Sequence, residues 1–399
     1  MGKTVKVIVG ANYGDEGKGL ATDYFSRHYI LENKNVLNVL YNGGPQRGHT
    51  VEIEGRLRHV FHHFGSGTFA GADTYFDMDF MVNPMEFVRE AIILEQEASL
   101  PTCYIHPDCR VTTPFDMILN HIVEDARGKL KHGSCGMGIW ETDQRYLLDT
   151  KKYSWGELAS LPVKSIRIYL EYLRNVYVPQ RLEWYEIRDE DIFYQYKDSL
   201  KDDGVIDHYI SDLLWMKEHV IDISTILDFR SYHDVVIFEG AQGLALDAEN
   251  VDEYPNVTAS RTGSYIPISR CNYYDEIEVV YITRSYFTRH GAGAFTTCSI
   301  EDINKNLVDN TNLYNYWQGS IRYGKFDNDA ILKRIEKDVN LVKGNLNHDI
   351  KRSLFITHLN YTSGDICGNT TISELRNQFR TVYLSYDRFG KEVDMLNKQ

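Results

Sequence analysis

The run Val5-Lys6-Val7-Ile8-Val9 and the segment Gly10-Ala11-Asn12-Tyr13-Gly14-Asp15-Glu16-Gly17-Lys18-Gly19 that follows it decide the fold class. An apolar, β-branched run predicts a strand buried on both faces, and a helical pattern follows the glycines. Glycine lets the backbone approach a ligand closely, while exposed amides, the helix N-terminus and Lys18 favour an anion. The segment therefore predicts a phosphate-binding loop, with a tight strand-to-helix turn as the alternative.

Two details separate this loop from ordinary phosphate loops. Asn12 and Gly19 stand where the Walker A pattern requires glycine and serine or threonine. Asp15 lies beside Lys18, and a carboxylate inside an anion site repels phosphate unless it binds a metal or moves a proton. The acidic residue therefore favours a catalytic loop over a purely structural turn.

The remainder of the chain predicts an α/β fold in one large domain that covers residues 1–399. Further apolar, β-branched runs alternate with helical patterns, which indicates a mainly parallel central sheet flanked by helices. These runs are 36–40, 235–238, 277–282 and 354–356. Between about 150 and 230 the apolar spacing is helical, and we interpret this part as a helical insertion or subdomain.

Charge and cysteine usage exclude several classes of protein. The 43 lysines and arginines against 57 aspartates and glutamates give a net charge of −14, which argues against a nucleic-acid-binding surface. No run of about eighteen apolar residues and no signal-peptide pattern is present, so we expect neither a membrane span nor secretion. The six cysteines form no C-x-x-C pair, which favours reduced thiols in the cytoplasm over a zinc site.

Two further glycine-rich segments follow predicted strands. Asn42-Gly43-Gly44-Pro45-Gln46-Arg47-Gly48-His49-Thr50 comes after the second strand, and Phe238-Glu239-Gly240-Ala241-Gln242-Gly243 ends a later one. Parallel α/β sheets bind ligands at the carboxyl ends of their strands, so three such ends predict one crevice. A single loop histidine is more often structural, and that interpretation of His49 stays open from the pattern alone.

In these motifs the chain resembles adenylosuccinate synthetase, a ligase of purine biosynthesis. The family start G-x-x-W-G-D-E-G-K-G stands at 10–19 with Tyr13 for the tryptophan, and a glycine pair followed by G-H-T stands at 43–50. The family motif F-E-G-A-Q-G is intact at 238–243, and T-R-x-G-A-G is intact at 288–293. The order and spacing of the four motifs cover nearly the whole chain.

The resemblance implies a carbon–nitrogen ligase that condenses a 6-oxopurine nucleoside monophosphate with L-aspartate. A nucleoside triphosphate phosphorylates O6, and the amino group of aspartate then displaces phosphate. Asp15 would be the general base that removes the N1 proton, and His49 the general acid or electrophile facing the phosphoryl group. Mg²⁺ would bridge Asp15, the phosphates and the carbonyl of Gly48. The resemblance also implies a cytoplasmic homodimer, in the host cytoplasm if viral, with no nucleic-acid or membrane partner.

The resemblance assigns the site residues by position. The catalytic set is Asp15, Lys18, His49 and Gln242. The triphosphate set is Gly14, Glu16, Gly17, Lys18, Gly48, Thr50 and Asn360. The monophosphate set is Gln46, Ser134, Cys135, Arg145, Gln242 and Thr258. The aspartate set is Ser320 and Arg322, and the metal set is Asp15 and Gly48.

Two departures from the family pattern bear on the substrates. Thr357-His358-Leu359-Asn360 stands where the family has T-K-L-D, whose aspartate accepts two hydrogen bonds from guanine. Asn360 offers one acceptor and one donor, which match the mixed edge of adenine better, so we expect ATP or dATP to be accepted. Ser320 stands where the family has an arginine that reaches aspartate and the ribose 2′-hydroxyl, and this change favours a deoxyribose substrate.

Together these changes resemble the viral branch of the family, which condenses dGMP with aspartate to give N6-succino-2-amino-2′-deoxyadenylate. The fully diverged viral form tends to replace the catalytic aspartate, so we interpret the chain as an intermediate type that keeps Asp15. The alternative is a conventional enzyme that uses IMP and GTP, with Asn360 binding guanine weakly or lying elsewhere. A catalytically idle nucleotide-binding protein is a third hypothesis, which the joint presence of Asp15, Lys18, His49 and Gln242 disfavours.

Overall fold

The structure, a computed structural model, describes residues 3–398 except 56, 224–231, 272–274, 305–306, 308–313, 315 and 344–349. Its strands are β1 (Thr4–Gly10), β2 (Val36–Leu40), β3 (His49–Ile53), β4 (Leu57–Phe61), β5 (Asp73–Phe76), β6 (Met81–Val82), β7 (Cys103–Ile105), β8 (Arg110–Val111), β9 (Val220–Asp222), β10 (Val235–Gly243), β11 (Glu276–Arg284), β12 (Phe287–Arg289), β13 (Arg322–Gly324), β14 (Lys351–Thr357), β15 (Thr381–Ser385) and β16 (Val393–Asn397).

The helices follow the same chain order. They are α1 (Lys18–Leu31), α2 (Pro84–Glu97), α3 (Pro114–Arg127), α4 (Ile139–Leu148), α5 (Trp155–Ser160), α6 (Val163–Tyr172), α7 (Val178–Trp184), α8 (Tyr194–Lys201), α9 (Asp203–His219), α10 (Tyr265–Ser269), α11 (Ile300–Ile303), α12 (Asn328–Val342) and α13 (Ile372–Gln378). A π-helical turn, Leu173–Tyr177, joins α6 to α7.

Ten strands form one sheet, which confirms the predicted α/β fold with a mainly parallel centre. The strand order is β16-β15-β14-β11-β1-β10-β2-β5-β7-β9. Neighbouring strands are parallel except β15 and β16, which pair antiparallel at one edge. Because β1 lies between β10 and β11, the segments that follow these three strands emerge side by side at the carboxyl edge.

Apolar side chains cover both faces of the central strands, as the β-branched run of β1 predicts. Val5 and Val7 belong to the core on one face, where Ile331 of α12 packs. Ile8 belongs to the core on the opposite face, together with Phe25 of α1. This alternation follows the two-residue period of a strand, and it places α1 directly behind the carboxyl end of β1.

A helical part lies between β8 and β9, and it shares one apolar core with β2, β5 and β7 of the sheet. Helices α3 to α9 run from 114 to 219 and bury Trp155, Ile166 and Leu213. The helical insertion expected at about 150–230 covers the later helices of this part, and its residues 224–230 lie outside the described residues. The strand β9 returns the chain to the sheet beside β7. Among the described residues, no helix combines the length and apolar character needed to cross a membrane.

Candidate active site

The loop between β1 and α1 is shaped by two glycines in the left-handed region. Gly14 has a φ of +113° and Gly17 a φ of +91°, conformations that residues with a side chain rarely adopt. Gly17 is the N-cap of α1, and no side chain among the described residues caps this helix. The first amides of α1 are therefore available to an anion, as the phosphate-loop prediction requires.

Glu16 and Lys18 turn inward beneath this loop. The Glu16 carboxylate accepts hydrogen bonds from the amides of Asn12 at 2.7 Å and Gly14 at 3.1 Å. Lys18 Nζ donates to the carbonyl of Gly14 and lies 3.7 Å from Glu16 Oε2. Burial raises the pKa of Glu16 and lowers the pKa of Lys18. The lysine thus holds the loop backbone, and a phosphate would replace the Gly14 carbonyl as its partner.

Asp15 lies on the open side of the same loop. Its side chain is 29% exposed, and its Oδ2 is 3.8 Å from Nε2 of His290. Its backbone carbonyl accepts a hydrogen bond from Nε of Arg284, which fixes the position of the residue. Within the described part of the chain this carboxylate accepts no hydrogen bond, so both of its oxygens are available to a substrate or a cation.

The end of β10 packs directly against the first loop. A Cβ on Gly243 would lie 2.3 Å from the carbonyl oxygen of Asn12 and 2.8 Å from the amide nitrogen of Gly14. A Cβ on Gly14 would in turn lie 2.9 Å from Oε1 of Gln242. Only glycine permits this approach, and it brings Gln242 beside the predicted phosphate loop.

His49 is held by a buried carboxylate that the sequence analysis did not assign. His49 Nδ1 lies 2.6 Å from Oε1 of Glu239, and Arg47 Nη2 lies 3.3 Å from Oε2. The amide of Ser66 donates to the same carboxylate at 3.0 Å. Burial raises the pKa of Glu239, but Arg47 and His49 outweigh this effect and lower it to about 2. Burial, together with Arg47, lowers the pKa of His49 to about 3.

These charges decide the tautomer of His49. At neutral pH Glu239 is ionised and can only accept, so the neutral imidazole donates its Nδ1 proton and carries a lone pair on Nε2. Nε2 is buried and has no partner among the described residues. The structural interpretation of this histidine as an ordinary loop residue is therefore disfavoured.

The second glycine loop approaches α1 at backbone distance. A Cβ on Gly19 would lie 2.9 Å from Cβ of His49 and 3.1 Å from the carbonyl oxygen of Thr50. The amide group of Gln46 folds back onto its own loop, since a Cβ on Gly43 would lie 2.6 Å from its Nε2. The first two loops therefore form one continuous surface around His49.

Seven buried polar atoms in these two loops have no hydrogen-bond partner among the described residues. They are Asn12 Nδ2, Glu16 Oε2, Gln46 Nε2 and Oε1, Arg47 Nε and Nη1, and His49 Nε2. Buried polar groups in native proteins are almost always paired, because leaving one unpaired costs about 1–3 kcal/mol. A polar ligand lying between the loops would supply the missing partners.

A third loop, Thr288–Gly293, reaches Asp15 from the other side. Arg322 of β13 donates from Nη1 to the carbonyl of Gly293 at 3.0 Å and from Nη2 to the carbonyl of Gly291 at 2.7 Å. The loop carries His290 to Asp15. Arg322 therefore holds the loop that carries His290, and Ser320 is exposed two residues before it. The assignment of both residues to the substrate aspartate stays a prediction.

The segment after β14 closes the site at the phosphate loop. Oγ1 of Thr357 donates to the carbonyl of Glu16 at 2.8 Å, and a Cβ on Gly17 would lie 2.9 Å from Cγ2 of Thr357. Asn360 lies three residues further on, exposed in the turn Leu359–Tyr361. The structure thus places this predicted base-binding residue in the turn that follows the strand end in contact with the first loop.

Ser134, Cys135 and Thr258 lie in loops whose own contacts are local. Oγ of Ser134 donates to Oδ1 of Asn120 at 2.9 Å. Burial raises the pKa of the Cys135 thiol to about 11, so the thiol is neutral at physiological pH. The amide of Thr258 donates to the carbonyl of Leu246 at 2.8 Å. These contacts fix the loops and leave the assignment of the three residues to the monophosphate as a prediction.

Within this chain the structure does not bring Arg145 to the loops around His49, and its assignment to the monophosphate stays a prediction. Its Nε and Nη2 each donate to an oxygen of Asp116 at 2.8 Å, and Nη2 also donates to the carbonyl of Val111 at 2.6 Å. Nη1 donates to the hydroxyl of Tyr169 at 2.8 Å. The side chain is buried inside the helical part with internal partners, so it joins α4 to α3.

Comparison with known families decides what this site belongs to. The model of the adenylosuccinate synthetase family matches residues 7–340. The chain belongs to the adenylosuccinate synthetase family. The enzyme of Pseudomonas fluorescens (strain SBW25) is 30% identical over 86% of this chain and 76% of that protein. The enzyme of Lactobacillus acidophilus is 29% identical over 82% of this chain and 73% of that protein.

Two solved structures share the fold. The fully ligated adenylosuccinate synthetase of Plasmodium falciparum superposes with a TM-score of 0.65 at 19% identity, covering 96% of this chain and 80% of that one. The second is the succinoaminodeoxyadenylate synthetase of cyanophage S-2L, bound to dGMP and to dATP as energy donor. It superposes with a TM-score of 0.62 at 16% identity, covering 99% of this chain and 96% of that one. The protein is therefore a ligase of this family, which condenses a purine nucleotide with aspartate.

The family generally uses Mg²⁺, and the residues of the site fit such an ion. Asp15 supplies a carboxylate without a hydrogen-bond donor, and the backbone carbonyl of Gly48 adjoins His49 on the facing loop. Within the described residues no three His, Cys, Asp or Glu side chains assemble as a metal cage. Mg²⁺ commonly binds through one or two protein oxygens, waters and substrate phosphates, so a cage is not required.

Two residues of the site were missed by the sequence analysis. Glu239 holds His49, and its signal was a carboxylate inside an otherwise apolar strand end, in a motif that had already been recognised. His290 contacts Asp15 from the variable position of T-R-x-G-A-G, where the pattern carries no signal.

Proposed function

We propose that this enzyme condenses dGMP with L-aspartate, uses ATP or dATP as the phosphoryl donor, and releases N6-succino-2-amino-2′-deoxyadenylate. The observation that carries the proposal is an amide, Asn360, exposed in the turn Leu359–Tyr361 that follows β14. Thr357, at the end of that strand, contacts Glu16 and Gly17, which supports the proposal that the base of a triphosphate bound at α1 meets this turn.

The chemistry of Asn360 favours an adenine base. Guanine presents two donors, N1–H and the 2-amino group, which an aspartate pairs by accepting twice. Adenine presents a donor and an acceptor on the corresponding edge, and an amide can pair with both. An asparagine that met guanine would leave one donor facing another, which costs more than a missing contact.

The sugar-binding side supports a deoxynucleotide. Ser320 is exposed and short where the family places an arginine that reaches the 2′-hydroxyl, so no long donor remains there for ribose. Arg322 keeps the guanidinium that would bind the aspartate carboxylate. The cyanophage S-2L enzyme of the same fold binds dGMP and dATP, the pair that we propose for this chain.

The proposed mechanism begins with Asp15, which removes the N1 proton of the purine so that negative charge develops on O6. O6 attacks the γ-phosphorus, and the bond to the diphosphate leaving group breaks. Lys18 and the amides of α1 bind the triphosphate, while Asp15 and the Gly48 carbonyl would hold Mg²⁺, which neutralises phosphate charge when bound. The neutral amino group of aspartate then attacks C6, the C6–O6 bond breaks, and inorganic phosphate leaves with the proton that the attacking nitrogen releases.

In this mechanism His49 acts on the transferred phosphoryl group through Nε2. Because Glu239 accepts its Nδ1 proton, the imidazole is held in one orientation with Nε2 opposite the carboxylate. An approaching phosphoryl anion raises the pKa of the imidazole, so Nε2 takes up a proton from solvent as the substrates bind and donates it in a hydrogen bond to the phosphoryl oxygen. Glu239 stabilises the resulting positive charge.

The conventional synthetase, which uses IMP and GTP, is the second candidate. The specific observations in its favour are the intact Asp15 and the relatives near 30% identity, which are named adenylosuccinate synthetase. The two candidates share the reaction and the catalytic residues, and they differ only in the base and sugar that the site selects.

We also propose a homodimer in the cytoplasm, in line with the family. Helix α4 leaves Trp140 at 42%, Leu147 at 67% and Leu148 at 59% exposure, a cluster of large apolar side chains at the surface of the helical part. Exposed apolar clusters of this kind are typical of subunit interfaces. A second copy of the chain is the occupant that we propose, and the molar mass in solution tests it.

Replacing Asn360 with aspartate should shift the donor preference toward GTP by about ten- to a hundredfold in kcat/KM, since the carboxylate restores two acceptors. The choice of monophosphate should not change. Steady-state kinetics with ATP, dATP and GTP measure the ratio, and Asn369→Asp, an exposed amide-to-carboxylate change outside this turn, is the matched control. An unchanged ratio of ATP to GTP would remove Asn360 from base recognition.

A further inference from the structure

Arg47 belongs to the second glycine loop, and the proposed mechanism gives its guanidinium no role. It stands between Gln46 and Gly48, directly before the G-H-T segment. The side chain is 1% exposed, which is unusual for an arginine unless it is paired.

The pairing of Arg47 is incomplete. Nη2 donates to the carbonyl of Phe64 at 3.0 Å and lies 3.3 Å from Oε2 of Glu239. Nε and Nη1 are buried and have no partner within the described part of the chain. Since Nε carries one proton and Nη1 two, three of the five N–H groups of this guanidinium lack an acceptor.

The neighbours of Arg47 point to a ligand rather than to a packing defect. The amide oxygen and nitrogen of Gln46 and Nε2 of His49 are also buried without a partner. Arg47 and His49 contact opposite oxygens of the Glu239 carboxylate, so the guanidinium and the imidazole lie on either side of the same carboxyl group. The paired N–H groups of a guanidinium match the geometry of phosphate oxygens.

We propose that Arg47 binds a phosphate oxygen of a substrate through its Nε and Nη1. That oxygen belongs either to the 5′-phosphate of the purine monophosphate or to the transferred γ-phosphoryl group, and the chemistry of recognition is the same. The inference rests on the proposed function of this site but not on the choice of purine, since every candidate monophosphate carries the 5′-phosphate and every candidate donor carries the γ-phosphoryl group.

The test compares binding constants for pairs of ligands that differ by one phosphate. Calorimetry with Arg47→Met and the unmodified enzyme measures dGMP against deoxyguanosine, IMP against inosine, and a non-hydrolysable ATP analogue against ADP. A loss of about ten- to a hundredfold in the preference for the monophosphate over its nucleoside assigns Arg47 to the 5′-phosphate. The same loss for the ATP analogue over ADP assigns it to the transferred group.

The controls separate this role from stability and from substrate choice. Arg181→Met removes another buried arginine, whose partners are Glu141 and Tyr185, and should lower Tm without changing any of these ratios. Arg47→Lys retains the positive charge beside Glu239 but removes the paired N–H groups of the guanidinium. It should therefore keep the fold and still lose the preference for the ligand that carries the additional phosphate. Because IMP and dGMP are both measured, an error in the proposed purine leaves the result intact. If both preferences are unchanged in Arg47→Lys and Arg47→Met, Arg47 does not bind phosphate and the inference is wrong.

Discussion

Asp15→Asn is expected to abolish turnover while the fold and nucleotide binding remain largely intact. The amide has nearly the same shape but cannot take the N1 proton, and loss of a positioned general base costs about 10²–10⁴ in rate. The surrounding backbone should not move, because Arg284 holds the carbonyl of this residue rather than its side chain. Single-turnover kinetics and calorimetric titration of the monophosphate measure the two effects separately.

Asp23→Asn is the matched control for this variant. Asp23 lies on α1, where it is buried and forms an ion pair with Arg27. Burial raises the pKa of Asp23 to about 6. Its amide variant should change Tm but keep most of the kcat. Retention of more than about a tenth of kcat by Asp15→Asn would contradict its role as the base.

The second large effect concerns His49→Asn, which should lower kcat by about 10²–10⁴ and change the KM for the monophosphate much less. The imidazole acts on charge that develops only during phosphoryl transfer, so its contribution belongs to the transition state. Glu239→Gln should reproduce part of this loss, because the neutral amide no longer stabilises a protonated imidazole.

His63→Asn separates this effect from general damage to the core. His63 is fully buried, and its Nε2 accepts a hydrogen bond from the amide of Asn83 at 2.9 Å. Its variant should lower Tm with little change in kcat. Equal losses in binding and rate for His49→Asn, or no effect from Glu239→Gln, would return His49 to a structural role.

Local signals in the sequence predict the framework of this site well. The β-branched run of β1 and the glycines at 14 and 17 depend on strand period and on positive φ, which adjacent residues determine. The crevice follows from three glycine-rich strand ends in one parallel sheet, since parallel strands end at the same edge.

Contacts between distant residues account for what the sequence did not predict. His49 and Glu239 are 190 positions apart, and nothing in either motif indicates that they share a proton. Arg145 was assigned by order along the chain, but its bidentate pair with Asp116, 29 positions away, occupies it internally. Such pairings depend on how α3 and α4 pack, which local pattern does not determine.

A single competition assay tests the central claim most directly. Equimolar dGMP, GMP, dIMP and IMP are mixed with excess aspartate and with ATP, dATP or GTP in separate reactions. The products of condensation with aspartate are then separated by chromatography, and mass spectrometry identifies and quantifies each one. The account predicts that N6-succino-2-amino-2′-deoxyadenylate dominates, and that ATP or dATP yields at least as much of it as GTP. Dominant adenylosuccinate, made about tenfold or more faster with GTP, would contradict the account and identify a conventional synthetase.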